Sequence, residues 1–335
     1  MTEVRFDPLR RRKIYVAEQR AGRPNDYRAR GGEGLAASAC PFCPGNEHET
    51  PPELAADRPA GSQRDDSQWS LRVVPNRYPA LMRAAPPPGE FPGFVVDRAF
   101  GAHEVIIESR DHGARLERLP PQQIGSYLRH LQARARAHRA AGFGHVMMFR
   151  NCGAYSGASL IHPHTQLLAD PQPSNSLAQE LAALAEHYAR TKRCLVCDVV
   201  EGEVADGRRT LTESDGLISL VPFAARFGAE TWILPRSHAA PYDRPFCELE
   251  PAVLDAIGAR LQQALRRVLA AFGDPSYNLI LEAWVADDPT RPPAHWRIEI
   301  VPRLATVGGY ELGSGDFIGS RTPEEAAQRL REVPL

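Results

Sequence analysis

Two separated stretches of this chain repeat one another, and no other feature restricts its fold as much. GAHEVIIESRDH, ending at His112, and GAETWILPRSH, ending at His238, each open on Gly-Ala, pass through an apolar strand-like run and close on a polar turn and a histidine. Upstream, LRVVPNRYPA has a counterpart in ISLVPFAARF, and each follows its own C-x-x-C pair by a few dozen residues. Downstream come apolar residues at helical spacing, Ile124, Leu128, Leu131 and Ala135 in one copy and Ile257, Leu261, Leu265 and Val268 in the other, with Ile-Gly at the same point of both. The step from Ile124 to Ile257 is 133 residues and that from His162 to His295 is the same, so helix and following strand keep register without a gap. Each copy reads as C-x-x-C, strand, strand ending in His, amphipathic helix, strand, second His. The fold class this predicts is α+β, two units with mainly antiparallel sheets and a helix packed on each. ADPQPSNS marks the boundary, which gives halves of 1–175 and 176–335. SLAQELAALAEHYARTKR reads as a helix, and TPEEAAQRLREV as a closing helix with Thr322 as N-cap, Pro323 at the first position and Glu325 in the capping box.

A net charge of -1 on 335 residues excludes a general polyanion or membrane-surface binder. The absence of a long apolar run and a charged N-terminus predict a cytoplasmic protein. Six cysteines are too few for a disulfide scaffold, and four form the pairs Cys40/Cys43 and Cys194/Cys197. With His112 and His162, the first pair makes the two-thiolate, two-imidazole set of a closed structural zinc site; His238 and His295 complete the second. A lone C-x-x-C would read equally as a redox pair, but its recurrence with matched histidines favours metal. Cys152 and Cys247 read as buried free thiols, and His48, His103, His130, His138, His145 and His187 have no partner at a telling spacing.

The stretch FRNCGAYSGASLIHPHTQ carries the chemistry. Gly153 and Gly157 permit close backbone approach to a ligand, Ser159 and Gln166 can hydrogen-bond phosphoryl oxygens, and alternation puts His162 and His164 on one side of a strand. With His162 on metal, His164 is anchored nearby and free to act as a nucleophile on phosphorus. The second half has Arg297 and Glu299 at the positions of His164 and Gln166, so it keeps the metal ligand and lacks the nucleophile.

These motifs resemble the galactose-1-phosphate uridylyltransferase family of the histidine triad superfamily, over essentially the whole chain: RAGRPNDY, CPFCPGNEHETPPEL, LRVVPNRYPAL, HEVIIESRDH, NCGAYSGASLIHPHTQ and GGYELGSG. The two intact metal sets and the ELGSG tail are most similar to the branch holding ADP-glucose phosphorylases and compact prokaryotic uridylyltransferases. The resemblance implies two tandem histidine-triad-like units, the second degenerate, and a homodimer with the active site near the subunit boundary. It implies that His164 attacks the α-phosphorus of a nucleotide sugar, expels hexose 1-phosphate and passes the nucleotide to a second phosphate, with Gln166 and Ser159 stabilising charge. Arg20, Arg23, Asn76, Asn151 and Gly157 match nucleotide contacts, and Tyr310 and Glu311 match the pair that meets the hexose; read without the resemblance, that pair lies on an exposed edge strand. Ala158 stands where well-studied uridylyltransferases carry Cys, and their late hexose-contacting Gln falls near Phe317, which leaves the hexose open. UDP-glucose and galactose 1-phosphate are the default substrates. The alternatives are an ADP-glucose or dinucleotide phosphorylase, a triad-type hydrolase and a non-catalytic zinc protein.

Overall fold

The computed structural model describes residues 2–17, 36–85, 87, 89, 92–94 and 96–334. The chain opens with the hairpin β1 (Thr2–Asp7) and β2 (Arg12–Ala17), then lays down β3 (Ala55–Asp57), β4 (Leu71–Pro75) and β5 (Ala102–Ile107). Helix α1 (Pro121–Ala140) leads to β6 (His145–Cys152) and β7 (His164–Asp170), and α2 (Asn175–Thr191) and α3 (Leu195–Asp206) follow. The second series is β8 (Thr210–Ser214), β9 (Leu217–Leu220), β10 (Thr231–Pro235), α4 (Pro251–Phe272), β11 (Tyr277–Val285) and β12 (Ile298–Pro302). It ends with α5 (Gly309–Ser314), β13 (Phe317–Gly319) and α6 (Pro323–Arg331).

Ten strands form one antiparallel sheet in the order β3-β4-β5-β7-β6-β11-β12-β10-β9-β8, which meets counterpart strands in the same sequence from either edge. At the centre Met148 of β6 pairs with Leu281 of β11, its own counterpart 133 residues on. The two long helices pack against each other on one face, where alternate residues of β6, β7, β11 and β12 (Val146, Met148, Leu167, Ala169, Leu279, Leu281, Ile298, Ile300) join α1, α4 and α6 in one core. Thr322 forms the expected capping box with Glu325 at the start of α6, and Ser174 caps α2 by accepting from the Leu177 N–H at 3.3 Å.

The opposite face carries two separate small cores. Trp69, Val74, Val105 and Ile107 cluster over the first half, and Leu9, Leu184, Val196, Ile218 and Trp232 over the second. The N-terminal hairpin therefore packs on the second half, where β13 adds in parallel to β2 and Arg5 pairs with Glu324 of α6 at 2.9 Å. Among the described residues no helix is long and apolar enough to cross a membrane.

Three local readings differ from the sequence expectation. β5 and β10 stop at Ile107 and Pro235, so His112 and His238 lie on the turns beyond the strands rather than at their ends. Tyr310 and Glu311 belong to helix α5, not to an edge strand; Glu311 accepts from the backbone N–H of Gly308 at 2.9 Å and closes the helix start. Five of the six histidines without a telling sequence partner have a hydrogen-bond partner in space, His103 with Gln166, His130 with Asp57, His138 with Glu104, His145 with Glu282 and His187 with Asp198, while the sixth, His48, lies 3.5 Å from its chain neighbour Glu49. All but the last of those five partners lie far along the chain, beyond the reach of spacing arguments.

Candidate active site

β6 and β7 are joined by a loop that must bend twice. Gly153 and Gly157 sit at φ of 86° and 85°, and a Cβ on Gly153 would fall 2.4 Å from Ser276 Oγ. Asn151 holds the loop: its Oδ1 accepts from Asn278 Nδ2 at 2.8 Å, and that same Asn278 amide donates to the Ser156 carbonyl at 2.9 Å. The loop delivers His162 just before β7 and His164 at its first residue.

His162 Nε2–H donates to the Ser109 carbonyl at 2.8 Å, which leaves Nδ1 unprotonated and 3.4 Å from Cys43 Sγ. His112 Nδ1 lies 3.3 Å from the same sulfur, and the ligand atoms of Cys40, Cys43, His112 and His162 all fall within 4.8 Å of one another. Burial lowers the pKa of His162 to about 4, so the ring is neutral as a metal ligand must be, while burial and then the neighbouring Cys40 push the Cys43 thiol up to about 11. A cation between the sulfurs would reverse that last effect. Cys194, Cys197, His238 and His295 form the second such group, with Cys197 Sγ 3.3 Å from His295 Nε2. Among the described residues, His238 Nε2 and His295 Nδ1 are buried without a hydrogen-bond partner. The two C-x-x-C pairs differ locally, the first lying in a turn and the second across the start of α3.

His164 is 6% exposed and donates Nδ1–H to the His162 carbonyl at 2.8 Å. Burial holds its pKa below the ordinary histidine value, so the ring is neutral with Nε2 as its free lone pair. Phe42 sets its ring edge-on to His164 at 5.2 Å. Beneath β7, Thr165 turns to the helix side, where its hydroxyl donates to Glu108 Oε1 at 2.7 Å; Arg150 donates to both oxygens of Glu108 at 2.9 and 3.0 Å and to Tyr277 Oη at 2.9 Å. This wholly buried network clamps the strand that bears His164. Glu108 and Arg150 escaped the sequence reading, although a charge within each apolar strand region was the available signal.

His164, Gln166, Ser159 and Asn76 line one cavity of about 450 Å³, walled by Phe42, Val74 and Val105. Gln166 Oε1 and Asn76 Nδ2 both meet His103 Nε2, at 2.9 and 3.1 Å. The other expected contacts are elsewhere. Asn151 and Glu311 line a second cavity of about 460 Å³ along β6 and β11, Gly157 adjoins Asn151, and Tyr310 packs on Tyr15 with ring centroids 5.8 Å apart. Arg20 and Arg23 lie outside the described residues.

At the matching place in the second half, the cavity is replaced by ion pairs. Arg297 donates to both oxygens of Glu180 at 2.6 Å and to Glu299 at 2.6 Å; Arg10 reaches Glu299 at 2.6 Å and Arg226 reaches Glu230 at 2.6 Å and Glu299. The hairpin and α2 thus fill what is open in the first half.

The family model described as galactose-1-phosphate uridyl transferase, N-terminal domain, matches residues 1–173. The ADP-glucose phosphorylase of Arabidopsis thaliana is 32% identical, with 99% of this chain and 93% of that protein covered. The galactose-1-phosphate uridylyltransferase of Thermotoga maritima is 26% identical over 100% of this chain and 99% of its own. Among solved structures, the Arabidopsis thaliana ADP-glucose phosphorylase with bound ADP-glucose superposes with a TM-score of 0.81 at 30% identity over 100% of both chains. A uridylyltransferase structure gives 0.74 at 28% identity, covering 99% and 97%.

Proposed function

The chain belongs to the galactose-1-phosphate uridylyltransferase family, and from that premise we propose that it is a nucleotidyltransferase acting on sugar 1-phosphates through a covalent nucleotidyl-histidine on His164. One observation carries this reading: Nδ1–H of His164 is committed to the His162 carbonyl, which leaves Nε2 unprotonated on a ring that lines the same cavity as Gln166 and Ser159. The Nε2 lone pair forms a bond to the α-phosphorus of a nucleotide sugar as the bond from that phosphorus to the sugar phosphate oxygen breaks, releasing hexose 1-phosphate. An oxygen of a second phosphate then displaces the histidine, and the P–N bond breaks. Gln166 and Ser159 donate to the non-bridging oxygens, where one such donor contributes roughly 3 kcal/mol in the transition state.

For the nucleotide and acceptor, we favour ADP-glucose with inorganic phosphate. The greater identity, 32% against 26%, and the higher TM-score, 0.81 against 0.74, support it over the default pair UDP-glucose and galactose 1-phosphate, which stands second. Residues 1–175 and 176–335 are read as tandem histidine-triad-like units, the second without a nucleophile. Zinc is the metal proposed for both groups. Cys40, Cys43, His112 and His162 would hold one ion and Cys194, Cys197, His238 and His295 the other, each a closed set that contributes folding free energy and takes no part in the transfer. Tyr310 and Glu311 do not line the His164 cavity of their own chain, which suits a homodimer with the site near the subunit boundary. A reducing compartment such as the cytoplasm suits the thiolate ligands.

The test is to incubate the protein with ADP-glucose or UDP-glucose without acceptor and to record intact mass and glucose 1-phosphate release. A one-nucleotide adduct from ADP-glucose, absent in His164→Gly and discharged by phosphate, is the expected result. An adduct only from UDP-glucose, discharged by galactose 1-phosphate, selects the second substrate pair. No adduct from either overturns the covalent mechanism.

A further inference from the structure

The amide of Gln166 can serve the transfer in one orientation only, since its NH₂ attracts a phosphoryl oxygen and its carbonyl repels it. On the nucleotidyl-transfer reading above, we infer that His103 is the positioning residue that sets this orientation. The backbone N–H of Ala80 donates to His103 Nδ1 at 3.1 Å. A backbone N–H can only donate, so Nδ1 is an acceptor and the neutral ring carries its proton on Nε2. That proton is 2.9 Å, heavy atom to heavy atom, from Gln166 Oε1, which fixes the carbonyl on His103 and turns the NH₂ away from it. Half-burial lowers the pKa of His103, which keeps the ring in this neutral state. Asn76 does not compete for that proton: its Oδ1 accepts from the Tyr78 N–H at 2.8 Å, so it turns its NH₂, itself a donor, to within 3.1 Å of Nε2 and leaves Gln166 Oε1 as the acceptor.

The second half supplies an independent argument. Val105 pairs with Gln166 across β5 and β7, and Trp232 pairs with Glu299 across β10 and β12. Two residues earlier stand His103, within β5, and Glu230, the residue just before β10. The half that lacks the nucleophile has therefore replaced all three positions, His103, His164 and Gln166, by Glu230, Arg297 and Glu299, and these now lie in one ion-pair cluster. His103 differs between the halves together with the residues whose function depends on it.

The experiment is a double-mutant cycle on the single-turnover rate of adduct formation, with ADP-glucose and UDP-glucose as probes. His103→Phe should slow the wild-type background by up to about 100-fold, the low end of the range for a lost oxyanion donor, and the Gln166→Ala background less than about threefold. His103→Gln, whose terminal N–H can stand where Nε2–H stands, should restore most of the rate. His103→Leu serves in place of His103→Phe if the latter melts early. An equal slowing in both backgrounds, or none in the first, overturns the positioning role while wild-type adduct still supports the transfer reading. Wild-type protein that forms no adduct overturns both.

Discussion

At the scale of single residues, the two halves show what one strand face can be used for. In the first, His164 and Gln166 face a cavity; in the second, Arg297 and Glu299, 2% and 1% exposed, face Arg10, Arg226, Glu180 and Glu230. A buried cluster of three arginines and three glutamates tolerates the loss of one member poorly, because the partner charge stays desolvated. Glu299→Gln is expected to lower unfolding stability by about 3–5 kcal/mol in urea melts, with the adduct rate per folded molecule unchanged. Burial works against ionisation of Glu180, Glu230 and Glu299, but the three guanidinium groups outweigh it and hold all three carboxyls below the ordinary range. A lowered folded-state pKa gives stability that is complete above the unfolded value, about 4.3, and is lost as pH falls through the lower folded values. Melts at pH 6 and below pH 4 should show this loss, and Glu299→Gln should show less of it; a wild-type midpoint indifferent to pH in that window contradicts the assignment.

At the scale of elements, the repeated Ile-Gly marks the point where α1 meets α4. A Cβ on Gly258 would stand 3.3 Å from Ile124 Cγ2 and from Leu128 Cδ1, so the helices approach as closely as they do because this residue has no side chain. Gly258→Leu should overpack the contact and destabilise by about 1–3 kcal/mol, read as a lower melting temperature; an unchanged one would mean that the two helices can separate freely. The same element pair explains the long core, since α1 packs on β4, β6 and β11, α4 packs on β9 and β10, and the two helices pack on each other.

At the scale of the whole molecule, the two Cys-Cys-His-His groups that could hold a metal stand in different places. The first includes His162, whose carbonyl orients His164; the second brings the start of α3 together with His238 and His295. Cys40→Ser and Cys194→Ser should each lower metal content and melting temperature, because ligand loss removes binding free energy that is folding free energy. They should differ in activity: Cys40→Ser also slows adduct formation, whereas Cys194→Ser leaves the rate per folded molecule near wild type. Elemental analysis beside single-turnover kinetics checks both. β13 joins β2 on the second half, so the N-terminal hairpin contributes to the half that has Arg297 in place of His164.

The repeat, the α+β class, the start of α6 and the grouping of both Cys-Cys-His-His sets were legible in the sequence, because they rest on periodicity, capping and ligand types that local spacing records. His164, Gln166, Ser159 and Asn76 were legible as residue types, and the fold brings them to one cavity. Spacing could not show that His103 meets Gln166, that Glu108 and Arg150 lie beneath Thr165, or that Arg10 closes the second half over Glu299. These are contacts between residues tens to hundreds of positions apart, and strand order and register alone decide them. Nor could it place Tyr310 and Glu311 in a helix away from His164, since six residues with two glycines carry no period long enough to read. Composition and spacing set which chemistry the chain can perform, and the ten-strand sheet decides which half keeps room for it, because only packing determines whether a polar strand face opens on a cavity or is covered by charge.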